Sequence, residues 1–147
     1  VRYNAIILGA NAGINPNASN EWTIDAMADG VELNTERVEE TVFTAGDLID
    51  AGDCLVMAGD RGAGRKRNVR FGSGEIELSE GAFRFARALG HPVYFAACVS
   101  EGGRRYRAVI RRLPTENLDV MIKEYADVLY GVVSAYPHQW FKWERGR

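Results

Sequence analysis

Three short, mainly apolar runs constrain the fold of this chain more than any other feature. They are YNAIIL at 3–8, CLVMA at 54–58 and PVYFAACV at 92–99. Each run is rich in strand-forming residues and ends at glycine or serine, which is typical of short strands rather than helices. Apolar runs without alternation indicate strands buried on both faces, as in parallel sheets with helices on either side. The runs therefore predict an α/β fold.

Segments with helix-start and helix-stop residues separate the strands. Helices are predicted over about 21–28, 45–51 and 80–89, and in a long segment that ends at Tyr136 before the helix-breaking Pro137. The cap candidates are Ser19 or Asn20, Thr44, Ser79, and Asn117 or Thr115. A short strand is predicted at 31–34, and 106–113 is predicted to return on 92–99 as a β-hairpin.

This order of elements predicts one α/β domain over residues 1–147. Its sheet is expected to be mixed and mainly parallel, flanked by helices, with a C-terminal β-hairpin and a long terminal helix. The length of 147 residues suits a single domain. The net charge of -2 gives no indication of general affinity for nucleic acid.

The cysteines and the N-terminus narrow the class of protein further. Cys54 and Cys98 stand in apolar runs and are predicted to be buried strand thiols. The sequence has no Cys/His cluster with metal-ligand spacing, so neither a metal site nor a cofactor is predicted. Neither a signal peptide nor a spanning helix is visible in the sequence. We therefore expect a cytoplasmic protein, or the soluble part of something larger.

A basic segment follows the CLVMA strand and carries the strongest chemical signal. In GDRGAGRKRN, 59–68, and its continuation to position 70, five cations occur without an acid after Asp60: Arg61, Arg65, Lys66, Arg67 and Arg70. Ligands of open α/β sheets bind at the carboxyl ends of the strands, and glycines allow backbone N–H groups to approach an anion. The segment is predicted to be a glycine-rich loop that cradles an anion or phosphate; the alternative is a solvated basic surface loop.

Other candidate features are weaker. Neither His91 nor His138 has a serine or cysteine partner that the sequence identifies, so a nucleophilic triad is not indicated. We interpret His91 as a turn residue and His138 as a partly exposed packing residue. ILGANAG at 7–13 resembles a nucleotide-binding strand and loop, but an ordinary turn is the simpler interpretation.

The last twelve residues, YPHQWFKWERGR, are unusually aromatic for a chain end. After Pro137 the segment is predicted to fold back, so that Trp140, Phe141 and Trp143 pack on the domain. The alternative is a surface that faces lipid or a substrate cleft, where tryptophan and basic residues favour an interface.

Four segments, in this order, carry a resemblance to a known family. They are DAGDCLVMAGDRG, VRFGSGEIELSEGAFRFARALGHPVYFA, the hairpin VSEGGRRYRAVI, and the close YPHQWFKWER. Together they resemble the C-terminal half of the bacterial lipid A biosynthesis acyltransferases, which include lauroyl and myristoyl transferases and phosphatidylinositol mannoside acyltransferases. The resemblance covers roughly 45–145, and it implies that the chain is the C-terminal part of a larger acyltransferase domain.

The resemblance implies transfer of a fatty acyl chain from acyl carrier protein or acyl-CoA to a hydroxyl of a glycolipid such as a lipid A precursor. It also implies peripheral membrane contact at the cytoplasmic face of the inner membrane. Asp60 and Arg61 would support catalysis. Substrate or anion binding would involve Gly59, Arg65, Lys66, Arg67, Arg70, Phe71, Gly72 and Trp140.

One departure from the family bears on catalysis. The family's general base is a histidine followed five positions later by an acid, but Ala96 and Trp143 stand five after the two histidines of this chain. The chain would then hold the Asp-Arg half of the site without the base. The alternative is a non-catalytic module that binds anions or lipid headgroups through 61–70; a small nucleotide-binding protein is the third hypothesis.

Overall fold

The structure, a computed structural model, describes residues 5–9, 47, 50, 54–60 and 64–140. The described strands are β1 (Ala5–Gly9), β2 (Cys54–Ala58), β3 (Lys66–Phe71), β4 (Gly74–Ser79), β5 (Val93–Gly102) and β6 (Arg105–Leu113). The described helices are α1 (Gly81–Leu89) and α2 (Leu118–Ala135), followed by a 3-10 turn at Pro137–Gln139. The predicted helix 21–28 and strand 31–34 lie outside these residues, whereas Asp47 and Asp50, within the predicted helix 45–51, are helical.

The predicted mainly parallel sheet flanked by helices is wrong. The described strands form two sheets, one of four strands in the order β2-β1-β5-β6 and a separate one of β3 and β4. Antiparallel hairpins, β3 with β4 and β5 with β6, account for four of the six described strands. Parallel pairing is confined to β1, which lies between β2 and β5. Antiparallel pairing dominates because β5 and β6 extend well beyond the five-residue strands β1 and β2.

The hairpin of β3 and β4 also corrects the predicted basic loop. Residues 66–71 are a strand in which exposed and half-buried positions alternate, so that Lys66 and Arg70 face solvent while Arg67 and Phe71 turn inward. Glycines and cations in 59–70 suggested a loop, but the alternation of period two was the physical signal of a half-buried strand. Gly72 provides the tight turn with a left-handed φ of 64°.

Both described helices contribute to one core on a single face of the four-stranded sheet. Alternate residues of β5, including Val93 and Phe95, are completely buried, and Tyr125 of α2 lies edge-on to the ring of Phe95 at 5.2 Å. Phe83 of α1 meets the same tyrosine at 5.0 Å. The core thus holds α1, α2 and β5 together and fixes the position of the strand ends.

The helix ends follow the sequence signals closely but not completely. Asn117 caps α2 as predicted, since its side-chain oxygen accepts from the backbone N–H groups of Asp119 and Val120 at 2.8 and 3.2 Å. The predicted cap Ser79 is off by one position, because Glu80 is the residue before α1. Within the described residues, no helix combines the length and apolar character needed to cross a membrane.

The segment after α2 folds back onto the sheet. Pro137 starts the 3-10 turn, and the side-chain amide of Gln139 accepts from the N–H of Ser100 and donates to its carbonyl, both at 2.8 Å. A glutamine amide used in this way substitutes for a neighbouring strand. Trp140 follows and is only 5% exposed within the core. Packing of Trp140 on the domain is therefore confirmed, while Phe141 and Trp143 lie outside the described residues.

Candidate functional site

The carboxyl end of β2 places a buried acid against an aromatic ring. Asp60 follows Gly59 directly after the strand, and its side chain is completely buried. Gly59 is in contact with the same site, because a Cβ at this position would lie 2.7 Å from the ring and hydroxyl of Tyr125. A carboxyl group is removed from water at considerable free-energy cost, so its burial at a strand end marks the strongest candidate site in the described residues.

Tyr125 stays protonated beside this acid. Burial raises the pKa of the Tyr125 phenol well above its ordinary value, and the negative charge of Asp60 raises that pKa further. The rings of Phe83 and Phe95 hold the phenol from two sides, with centroids 5.0 and 5.2 Å away. The arrangement presents a neutral phenol and a carboxyl group at the end of β2, on a rigid aromatic support.

The predicted cationic residues do not act as one group. Arg65 is 78% exposed and Lys66 is 53% exposed, and Arg70 is also exposed on the same hairpin. Arg67 differs, because its guanidinium turns inward to Glu80 and to Asp119. Three exposed cations are therefore accessible to a ligand in the described part of the segment, although Lys66 pairs with Glu77 at 3.0 Å and Arg65 lies 3.9 Å from Glu80. Arg67 serves the fold, and Arg61 lies outside the described residues.

Glu80 is the centre of an ion-pair network that the sequence did not indicate. Its carboxylate is 2% exposed and accepts at 2.8 Å from Nε of Arg67 and at 2.8 Å from Nε of Arg84. Further contacts run from the terminal nitrogens of both arginines at 2.8 and 2.7 Å. Because Arg67 also contacts Asp119, the network joins β3 to the starts of α1 and α2. Paired, hydrogen-bonded charges of this kind tolerate burial.

This network makes the free energy of unfolding depend on pH in the acidic range. Hydrogen bonds from Arg84 and then Arg67 lower the pKa of Glu80 below its ordinary value of 4.5. A depressed carboxyl pKa adds stability at a pH above 4.5 and removes it as the pH falls through the folded-state pKa. We expect urea denaturation curves to show a fall in the free energy of unfolding below pH 4.5. Glu80→Gln should flatten this fall, whereas an equally steep fall in that variant would exclude Glu80 as its source.

Phe71 and Gly72 pack against α2. The ring of Phe71 lies edge-on to Tyr130 with centroids 5.2 Å apart, and a Cβ on Gly72 would lie 2.4 Å from the Tyr130 ring. The conformation and the close approach both require glycine here. The structure thus gives these two predicted binding residues a role in seating the β3–β4 hairpin on the helix.

The remaining predicted site residues are spread through the chain. Trp140 packs in the core next to the Gln139 contact on β5, whereas Gly59 and Asp60 lie at the end of β2. His91 contacts Asp50, with Nε2 and Oδ1 2.9 Å apart, in keeping with its predicted position at a turn; His138 is exposed on the 3-10 turn. The structure therefore joins Gly59 and Asp60 to Tyr125, but separates them from Trp140.

Two further findings concern strands β5 and β6 of the four-stranded sheet. Cys98 is exposed rather than buried as predicted, because strand alternation turns it away from the helices; the side chain of Cys54 lies outside the described part of the chain. A second basic segment lies on and beside β6, with five arginines exposed: Arg104, Arg105, Arg107, Arg111 and Arg112. The run RRYRAVIRR was the sequence signal for this basic segment, but only a hairpin strand was predicted there.

Comparison with known proteins does not assign the chain to a family. Neither the protein-family models nor the curated proteins yield a match. The features that bear on function are therefore the buried Asp60 beside Tyr125, the exposed cations of the β3–β4 hairpin, and the basic strand β6.

Proposed function

We propose that this chain is the C-terminal part of an acyltransferase. The enzyme moves a fatty acyl chain from an acyl carrier protein or acyl-CoA thioester to a hydroxyl of a glycolipid such as a lipid A precursor. The observation that carries the proposal is the complete burial of Asp60 at the end of β2, in the GDR segment on which the sequence resemblance rests. Burial of an ionisable group at a strand end is typical of catalytic sites in α/β proteins.

The chemistry assigns Asp60 a supporting role. The acceptor oxygen attacks the thioester carbonyl carbon, a C–O bond forms, the C–S bond breaks, and the hydroxyl proton passes through a general base to the leaving sulfur. The base in the family is a histidine with an acid five positions later, a spacing that neither histidine of this chain has. Asp60, beside the neutral phenol of Tyr125, would orient polar groups at the reacting centre by accepting hydrogen bonds.

The exposed cations of the β3–β4 hairpin supply the donor contact in this proposal. Arg65, Lys66 and Arg70 are exposed and lie where an acidic carrier protein or the phosphates of coenzyme A could bind. Such a ligand would compete with the contact of Lys66 to Glu77 at 3.0 Å and with the longer contact of Arg65 to Glu80 at 3.9 Å. Arg67 is left out of this set because its guanidinium neutralises Glu80. Peripheral contact with the cytoplasmic face of the inner membrane would bring the same surface near its lipid acceptor.

Binding of fluorescently labelled acyl carrier protein tests the donor contact. We expect anisotropy titrations to show salt-sensitive binding that weakens at least about tenfold when Arg65, Lys66 and Arg70 are all replaced by Glu, since three exposed ion pairs are reversed. The matched control reverses Arg104, Arg105 and Arg112 on and beside β6 and should bind the carrier protein as the wild type does. Equal binding by the two triple variants would contradict a donor site on this hairpin.

A non-catalytic module that binds anions or lipid headgroups is the second candidate, favoured by the exposure of the same three cations. It predicts sedimentation with phosphatidylglycerol vesicles at low salt, together with no binding of acyl carrier protein. The third hypothesis, nucleotide binding through ILGANAG, concerns a strand that is described and a loop at 10–13 that lies outside the described residues. A nucleotide-induced rise in the thermal midpoint would support it.

A further inference from the structure

The outer edge of β6 is unpaired within the described residues and exposes large apolar side chains. The strand ends the order β2-β1-β5-β6, so its far side pairs with no other described strand. Tyr106 is 69% exposed and Ile110 is 57% exposed, the two largest exposures among the big apolar side chains of the described residues. An edge strand with exposed apolar residues is a template for another extended chain.

The backbone direction along β6 follows from the contact at Ser100. Both backbone groups of Ser100 bond to Gln139 and therefore point away from β6, although Ser100 stands opposite Tyr106. Opposite residues of this type form a pair without mutual hydrogen bonds. By the same alternation Tyr106, Ala108 and Ile110 direct their N–H and C=O groups to the outer edge. The edge directs three donors and three acceptors outward, of which the carbonyl of Ile110 already accepts from Nη1 of Arg111 at 3.1 Å.

The two faces of β6 carry different chemistry. Tyr106, Ala108 and Ile110 stand opposite Ser100, Cys98 and Ala96 on the sheet face that turns away from the helices. The other face carries the exposed Arg105, Arg107 and Arg111, with the half-buried Val109 between the last two. Arg112 is exposed on the same face as Ile110. A strand added at this edge would place its own side chains alternately beside a mainly apolar face and beside a mainly arginine face.

The positions of the arginines indicate which kind of partner can bind at the β6 edge. A second copy of β6 would set arginine against arginine across the new pair, which is unfavourable. A flat anionic membrane reaches only one face of the sheet, whereas the exposed arginines of β6 are divided between both faces, with Arg112 on the face of Ile110 and the other three opposite. An extended segment with carboxylates at alternate positions can pair them with Arg105, Arg107 and Arg111, because arginine binds carboxylates through well-oriented hydrogen bonds. Its intervening apolar residues would meet Tyr106 and Ile110 on the other face. Val109 leaves one alternate position without an arginine.

We propose that β6 is a docking edge for an extended acidic segment of a partner protein, in which acidic and apolar residues alternate. The segment adds a strand to the four-stranded sheet, pairing its backbone with the outward groups of Tyr106, Ala108 and Ile110. Its carboxylates meet Arg105, Arg107 and Arg111, and the Glu101 side chain, now 2.5 Å from Nε of Arg107, yields that arginine to the partner. This interaction goes beyond acyl transfer and is independent of it.

Synthetic peptides test the pairing directly with the whole chain. A labelled peptide of alternating Glu and Val should bind with saturable fluorescence anisotropy, and a peptide of the same composition with grouped Glu and Val should bind at least about tenfold more weakly. Alternation fixes the register, so N-methylation at one set of alternate positions should abolish binding while the other set leaves it intact. Equal binding of the alternating and grouped peptides, or equal effects of the two methylation sets, would overturn the proposal.

Variants of the chain locate the site. Arg105→Glu with Arg111→Glu should weaken peptide binding about tenfold, as expected for the reversal of two exposed ion pairs, whereas Arg65→Glu with Arg70→Glu should leave it unchanged. Ala108→Pro should also block binding, because it removes an outward N–H that the β5–β6 hairpin does not use. Circular dichroism verifies that the hairpin variants fold. Loss through the Arg65 and Arg70 pair instead, or binding only to phosphatidylglycerol vesicles, would refute docking at β6.

Discussion

Replacing Trp140 by Ala is expected to lower the free energy of unfolding by about 3–5 kcal/mol, the range for removing a large aromatic side chain from a core. Trp140 is buried among core residues at the point where the chain folds back after α2. A loss of this size would remove a large part of the stability of a typical domain. Urea denaturation followed by circular dichroism measures it without relying on tryptophan fluorescence.

The matched control for Trp140 is Tyr106→Ala. Tyr106 is a large aromatic residue that is 69% exposed, and its truncation should change the free energy of unfolding by only about 0.5 kcal/mol or less. If Trp140→Ala were as mild as the Tyr106 variant, the tryptophan would face solvent, lipid or a cleft instead of the core. Such a result would restore the interfacial interpretation of the C-terminal segment.

Gly59→Ala is expected to lower the free energy of unfolding by about 1–3 kcal/mol, because the added methyl group overpacks a core contact. The new Cβ would lie 2.7 Å from Tyr125, whose buried ring also lies edge-on to Phe83 and Phe95. The substitution also displaces the backbone next to Asp60. Denaturation curves measured beside the transfer activity would separate its effects on stability and on the site.

Gly131→Ala provides the control for this glycine. Gly131 is an exposed residue within α2, and a Cβ there meets nothing within 4 Å. The substitution should raise the free energy of unfolding by about 0.5–1 kcal/mol, since alanine loses less backbone entropy in a helix than glycine. A shift in the same direction for both glycines would show that the Tyr125 contact is not the cause of the first effect.

The parts of the fold that local sequence signals determine were predictable. The strand runs at 54–58 and 92–99, the hairpin to Leu113 and the capping of α2 by Asn117 all depend on periodicity and turn chemistry within a few residues. The β3–β4 hairpin was missed because glycines and cations outweighed its alternation. The prediction of a mainly parallel sheet was also wrong, because apolar runs do not specify which strands pair or in which direction.

The site was less predictable, because its contacts join residues that are distant in the sequence. Asp60 was identified from its place after a strand, but Tyr125 beside it lies on a helix whose apolar stripe gave no chemical signal. Arg67 looked equivalent to Arg65 and Lys66, although Arg67 hydrogen-bonds to the buried Glu80 at 2.8 Å. The exposed Arg65 stays 3.9 Å from the same carboxylate. The sequence pattern does not distinguish a cation that pairs with a buried acid from one that is exposed at the surface.

Transfer activity of the complete gene product that contains this chain tests the central proposal most directly. Radiolabelled acyl carrier protein and a glycolipid acceptor should give labelled acyl glycolipid. Asp60→Asn should lower kcat/KM about 10–100-fold, the effect of losing one hydrogen bond to a charged group. The exposed Asp127→Asn should leave the rate unchanged. Absence of transfer by the folded wild type, or an unchanged rate in a stable Asp60→Asn variant, would contradict the proposed acyltransferase site.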